Sequence, residues 1–405
     1  MKLFKYEMKK LLFNKVRLGL LAVLFGVYGL VGGGMLAEEG EIQNTPQEPN
    51  ASAVYANLIE ENTGVLNQEI LAEYQKIVET VHDEYGKGEE MYRQLRTNPT
   101  LKFASQYVDF GNQVNMYWNG PAEQNPDNIL GVYPIQKKLQ ELESADRTDS
   151  YEYRYYQNRL ETETQIGEPI FENTGIWNAY FVMFDPMLLV ILLLMVLPFF
   201  ISPLFTQEVK TEMDSIILCS LKGRREIVTA KLLAAGLTSA ILAAAYLGAS
   251  LIGMSISSGD FSGLGAPARC LSGYALTSFD LTVGTFVAIS VLWLILVTVV
   301  FGLALAFISC KMKNQSAAFG IGIAVLLAGM MSGNIPWSLR PFLWPVIDFH
   351  FGALAMFNTI FGGTKAYNIL GMPVSYGMMA FVACLVLGTL ACLLTYIAQK
   401  KRAVV

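Results

Sequence analysis

Residues whose types and spacing suggest work by recognition are concentrated in one charged stretch between two long apolar runs, 207–231 (QEVKTEMDSIILCSLKGRREIVTAK). Val209, Met213, Ile216, Ile217 and Leu221 recur at i, i+4, i+7, i+8 and i+12, which is the stripe of an amphipathic helix. Glu208, Glu212 and Asp214 crowd its first turns, where the helix dipole favours acids. Gly223 suits a left-handed cap, after which Arg224, Arg225 and Glu226 lead towards Lys231. Such a segment offers an apolar stripe to a cleft and charges to set its orientation. The alternative is an elbow helix whose stripe rests on lipid or on its own bundle.

Bond-making chemistry has no comparable set of residues. The sequence lacks GxxxxGK[ST], so no phosphate-cradling P-loop is encoded, and it contains neither HExxH nor GxSxG. His82 and His350 are far apart, and Asp348-Phe349-His350 is too small a group for a metal site. None of the five cysteines forms a pair at metal-ligand spacing.

These residues must be positioned by a membrane protein. The chain has 405 residues, 53% of them hydrophobic, gathered into blocks long enough to span a bilayer. Six spans are expected: 18–36, 180–205, 232–256, 281–309, 315–333 and 373–398. The first, with its long basic arm, reads as an uncleaved span rather than a signal peptide. Lys and Arg cluster in 1–17, 206–231, 311–313 and 400–402, whereas the opposite short loops hold only Arg269, Arg340 and Lys365. The positive-inside bias therefore puts both termini in the cytoplasm of a cell-membrane protein. No span interior carries Asp, Glu, Lys, Arg or His, which argues against proton- or sodium-driven transport.

Segment 37–178 is expected outside the cell. It holds 25 acids against 10 bases, a net of −15 within a chain of net −5, which speaks against binding nucleic acid. Helical periodicity runs through 54–82, 134–143 and 151–166, so the domain reads as mostly helical, and without cysteines it must hold together by packing. Its tyrosines, Tyr151, Tyr153, Tyr155 and Tyr156, suit either packing or ligand stacking. In the arm 1–17, Phe4, Met8, Leu11 and Leu12 oppose Lys2, Lys5 and Lys9, as in an interfacial helix or a plain basic flank. Segment 335–372, with Trp337 and Trp344, reads as a re-entrant or interfacial hairpin or an aromatic anchor belt. The fold class expected is an all-α integral membrane protein.

With Glu208, Thr211, Ile217-Leu218, Ser220, Gly223-Arg224 and Lys231 in order, and with this layout of spans, the chain resembles the membrane subunits of ABC-2 type exporters. The resemblance implies a dimer of such subunits, identical or related, driven by separate cytoplasmic ABC ATPase subunits. ATP and magnesium would sit on those ATPases, with no cofactor on this chain. It also implies that Met213, Ile216 and Ile217 anchor the ATPase contact, with Glu208, Glu212, Arg224, Arg225 and Lys231 around it. Cargo would be amphipathic: a peptide antibiotic, a drug or a lipid. The competing expectation is a sensor or immunity protein whose outer domain captures a ligand; a membrane-embedded enzyme lacks convergent polar groups.

Overall fold

The computed structural model describes residues 2–39, 42, 44–46, 48–86, 89–117, 132–182, 189–213, 225–257, 261–271, 273–275, 277–331 and 340–401. The chain is a mostly helical, multi-pass membrane protein. A short helix, α1 (Lys2–Leu12), precedes α2 (Lys15–Glu39). A helical domain follows: α3 (Ala51–Glu61), β1 (Gly64–Val65), α4 (Gln68–Tyr85), α5 (Glu89–Thr97), α6 (Pro99–Tyr117), α7 (Val132–Ser144), α8 (Tyr151–Ile166) and β2 (Ile170–Phe171). The bundle resumes with α9 (Trp177–Val182), α10 (Leu189–Ile201), α11 (Pro203–Lys210), α12 (Glu226–Ser257), α13 (Val283–Lys311) and α14 (Gln315–Met330). Three short helices, α15 (Arg340–Phe349), α16 (Phe351–Ala355) and α17 (Phe357–Phe361), lead to the hairpin β3 (Ala366–Ile369) and β4 (Met372–Ser375), then to α18 (Tyr376–Lys400).

Among the described residues, five stretches are long and apolar enough to cross a membrane: Lys15–Gly33, Leu189–Lys210, Glu226–Ile256, Val283–Lys311 and Tyr376–Lys400. The remaining expected span corresponds to α14, whose 16 residues rise about 24 Å, short of a hydrocarbon core of about 30 Å. α10 and α11 read as one span because only Ser202 interrupts them, and the Ser309 hydroxyl satisfies that break by donating to Ser202 O (2.7 Å) and accepting from Phe205 N (3.1 Å).

Close helix packing follows from small residues. Where α2 meets α12, Gly29, Gly32 and Gly33 face Ala249, Ser250 and Gly253; a Cβ on Gly253 would overlap the Gly29 carbonyl oxygen, and one on Gly32 would lie 2.8 Å from Ser250 O. Such contacts let backbones approach where no hydrophobic drive exists between helices in lipid.

The domain between α2 and α9 has its own core of Ile59, Leu71, Phe103, Tyr107, Val114 and Phe171. β1 and β2 pair antiparallel, Gly64 with Phe171, and this brings Phe171 against Phe103, Tyr107 and Phe110. The helical run expected over 54–82 is split by β1, and Asn67 then caps α4 by accepting from Glu69 N and Ile70 N. Asn98-Pro99, a breaker in the sequence, starts α6: Asn98 accepts from Leu101 N (3.0 Å), and proline takes the first helical position.

Helix α8 and strand β2 fix this domain to the bundle; Cys270 Sγ donates to Ile170 O (3.0 Å) and Arg269 Nη1 to Gly167 O (3.4 Å). On α8, Arg159 pairs with Glu163, whose other oxygen lies 2.9 Å from Arg269 Nη1 in the α12–α13 connection. Arg269 also donates through Nε and Nη2 to Thr277 O, and Arg159 donates to the Ser278 hydroxyl (2.6 Å). Tyr155 OH donates to Thr364 O (3.0 Å) ahead of β3. The tyrosine run therefore serves internal contacts: Tyr155 stacks on Tyr151 and meets Tyr156 edge-on, while Tyr153 OH donates to Glu143.

Candidate functional site

At the end of the bundle where α1 lies, four charged side chains meet inside the protein. Lys231, at the start of α12 and 0% exposed, places its ammonium 3.0 Å from Glu7 Oε1 and 2.5 Å from Glu208 Oε1, and donates to Leu204 O at 2.7 Å. Lys10 adds a second ammonium, 3.2 Å from Leu204 O, 3.5 Å from Glu208 Oε1 and 3.7 Å from Glu7 Oε2. The face of the Phe205 ring lies 5.2 Å from the Lys231 ammonium. These two ammoniums and two carboxylates sum to zero charge, which is what lets them be buried. Burial, reinforced by the Lys231 charge, holds the Lys10 ammonium below the usual lysine range, with Glu7 and Glu208 opposing.

The four members are delivered by three pieces of chain. Glu7 and Lys10 come from α1, Glu208 from the end of the second long span, and Lys231 from the start of the third. Arg17 fixes α1 against α2 by donating from Nη1 to Lys10 O (2.6 Å) and Leu11 O (3.0 Å), carbonyls left over at a helix end. The junction thus ties α1, α11 and α12 together.

The expected docking helix differs from the structure. It does not run unbroken from 207 to 221: α11 ends at Lys210, Thr211 turns its hydroxyl back onto Gln207 O and Glu208 O, and Glu212 takes a left-handed conformation (φ 57°). Glu208 and Val209 therefore belong to the spanning helix. Glu208 and Lys231 point into the junction rather than outward, so they hold the base of the segment. Among the described residues of the segment, Gln207, Lys210, Thr211, Glu212, Met213, Arg225, Glu226 and Thr229 are exposed. Ile216, Ile217 and Arg224 lie outside the described residues.

On α1, Lys5 and Lys9 are exposed, and Lys2 belongs to the same helix. Trp337 lies outside the described residues. Trp344 packs inward, stacked on Tyr367 (4.9 Å) and against Phe349. The 335–372 segment contains helices and a β-hairpin, and α16 packs among α10, α13 and α14. Asp348 pairs with Lys365 (2.7 Å) and accepts from Tyr367 OH (2.8 Å); His350 caps α16 by accepting from Ala353 N at Nδ1 (3.1 Å). Among the described residues no three His, Cys, Asp or Glu side chains are grouped to hold a metal ion.

Sequence reasoning overlooked Glu7, Lys10 and Arg17 as site residues. The signal was present: Glu7 is the only acid in a basic arm, and it falls at i+3 from Phe4 and i−4 from Leu11, on the apolar face.

At the other end of the bundle, Phe181, Tyr274, Phe286 and Phe357 form a buried layer in which all ring centroids lie 5.0–6.1 Å apart. Comparison with protein families, with curated proteins and with solved structures finds no match to this chain.

Proposed function

We propose that the chain is the membrane-spanning subunit of an exporter driven by separate ABC ATPase subunits and paired with a second membrane subunit. The ATPases, carrying ATP and magnesium, dock at 206–231 on the cytoplasmic side. The observation that carries this reading is the ionic junction beneath that segment. Exposed residues on either side of it, Met213 and Arg225, hang from helices whose ends are joined by the Glu208–Lys231 pair. Force applied to the segment enters α1, α11 and α12 as one unit. The apolar span interiors suit an amphipathic cargo, and the aromatic layer of Phe181, Tyr274, Phe286 and Phe357 closes the far end of its path.

Affinity purification of the full-length chain from its native membranes, followed by identification of co-purifying ATPases, tests the reading. Arg224→Glu with Arg225→Glu should lower ATPase recovery roughly tenfold, the effect of about 1.4 kcal/mol at a charged contact. Absence of an ATPase, or unchanged recovery with the reversed charges, would sink the assignment.

A sensor is the second reading, favoured by the Arg159–Glu163–Arg269 link, which would carry ligand capture in the helical domain to the bundle. It requires no ATPase, so the same purification separates the two.

A further inference from the structure

The face of α1 turned away from the junction carries an apolar groove of about 400 Å³ lined by Phe4, Lys5, Met8, Lys9 and Phe13. That volume lies within the range of small-molecule sites. Phe4 and Met8 pack partly on the bundle core, and Thr238 of α12 reaches Met8 Sδ (3.8 Å), so the groove backs onto a long apolar helix. On α12 the neighbouring Leu237 and Ile241 are exposed. Phe13 is 66% exposed, and α2, the first long span, begins only two residues later. Lys5 and Lys9 are one helical turn apart and exposed, and among the described residues no acid pairs with either. Lys10, on the opposite face, is committed to Glu7, Glu208 and Leu204 O.

We infer that this groove is a binding site for one anionic phospholipid, with the headgroup phosphate between Lys5 and Lys9 and acyl chain on Phe4, Met8 and Phe13. Two features select a lipid over a soluble anion. The lysines supply only the rim of a site whose floor is apolar, and that floor continues into membrane-spanning helices. Charge selects an anionic headgroup, because two ammoniums without acidic partners favour phosphate over a zwitterion whose choline would meet them. Because the opposite face of α1 supplies Glu7 and Lys10, a lipid seated here also steadies the junction. The inference stands on its own observations and does not require an ATPase.

Native mass spectrometry and thermal unfolding of the full-length protein in mild detergent test it, with phosphatidylglycerol, phosphatidylcholine and inorganic phosphate as probes. Phosphatidylglycerol should bind and raise the unfolding temperature, whereas the other two should not. Lys5→Gln with Lys9→Gln should weaken that binding about 30-fold, from about fivefold per lysine. Lys400→Gln with Lys401→Gln, at another basic flank, should leave it unchanged. Since Lys5 and Lys9 are exposed, the doubly substituted protein should unfold at the wild-type temperature without lipid. Equal phosphatidylglycerol binding by wild type and the Lys5/Lys9 variant would overturn the inference. So would equal effects of phosphatidylcholine, or reproduction of the whole effect by inorganic phosphate.

Discussion

At the scale of single residues, the junction is governed by the cost of burying charge. Four groups that would each be unstable alone are tolerated because every ammonium has carboxylates and a carbonyl within reach. Removing one member should therefore cost more than its own contacts. Lys231→Met leaves Glu7 and Glu208 facing only Lys10, and the loss of one partner from a buried pair typically costs roughly 3–5 kcal/mol. Glu208→Gln should be destabilising in the wild type and much less so in the Lys231→Met background, because the carboxylate it removes has already lost its closest cation. A double-mutant cycle by thermal unfolding in detergent measures this coupling. Additive effects would show that the pair does not share its energy.

At the scale of elements, two helix contacts make separate predictions. Gly253→Val places a branched side chain against the Gly29 carbonyl and should separate α2 from α12, with loss of stability of about 1–3 kcal/mol from overpacking; unchanged thermal unfolding would refute the close seam. His350 caps α16 through an unprotonated Nδ1, so a second proton abolishes the cap, worth roughly 1 kcal/mol. Burial lowers the pKa of this imidazole, while Asp348 opposes the shift with its carboxylate engaged by Lys365 and Tyr367; Gly329 of α14 lies against the ring. A lowered pKa means that the unfolded segment binds protons first. The cap's contribution is present above pH about 6.5 and fades as pH falls through the lower folded value. Amide exchange across 351–356 should therefore rise on acidification in the wild type relative to His350→Asn, which keeps an acceptor that does not titrate. The long spans are legible in the sequence because an uncharged apolar run of about twenty residues matches the thickness of a bilayer and exceeds what most soluble cores bury in one helix. α6 is not legible in the same way, because Asn98-Pro99 signals both a break and a helix start, and only Phe103, Tyr107 and Val114 packing in the domain core distinguishes them. Glu208 and Lys231 stand out in the sequence but read there as outward-facing, since spacing along the chain cannot show that α1 brings Glu7 and Lys10 to cover them.

At the scale of the whole molecule, the helical domain and the bundle are joined through α8 and β2, and the strength of that joint decides whether the two move together. The domain has a core of its own, so weakening the joint should release it without unfolding it. Glu163→Ala is the sharpest way to do so. It leaves the guanidiniums of Arg159 and Arg269 buried without the carboxylate between them, a loss of roughly 3–5 kcal/mol for a broken buried pair. Burial already lowers the pKa of Arg159, with the Glu163 charge opposing, and neither the Ser278 hydroxyl nor Tyr155 beside it offers a carboxylate in its place. Arg159 would keep the Ser278 hydroxyl, and Arg269 would keep Thr277 O, so the variant should still assemble. Hydrogen exchange in the full-length protein should then speed up across 159–167 and 268–278, while α4 and α6 around Phe103 and Tyr107 remain protected. Exchange rising equally in α4 and α6 would show that domain and bundle fold as one cooperative unit. No change at 268–278 would show that the remaining contacts of α8 and β2, including Cys270 to Ile170 O, hold the joint without the ion pairs.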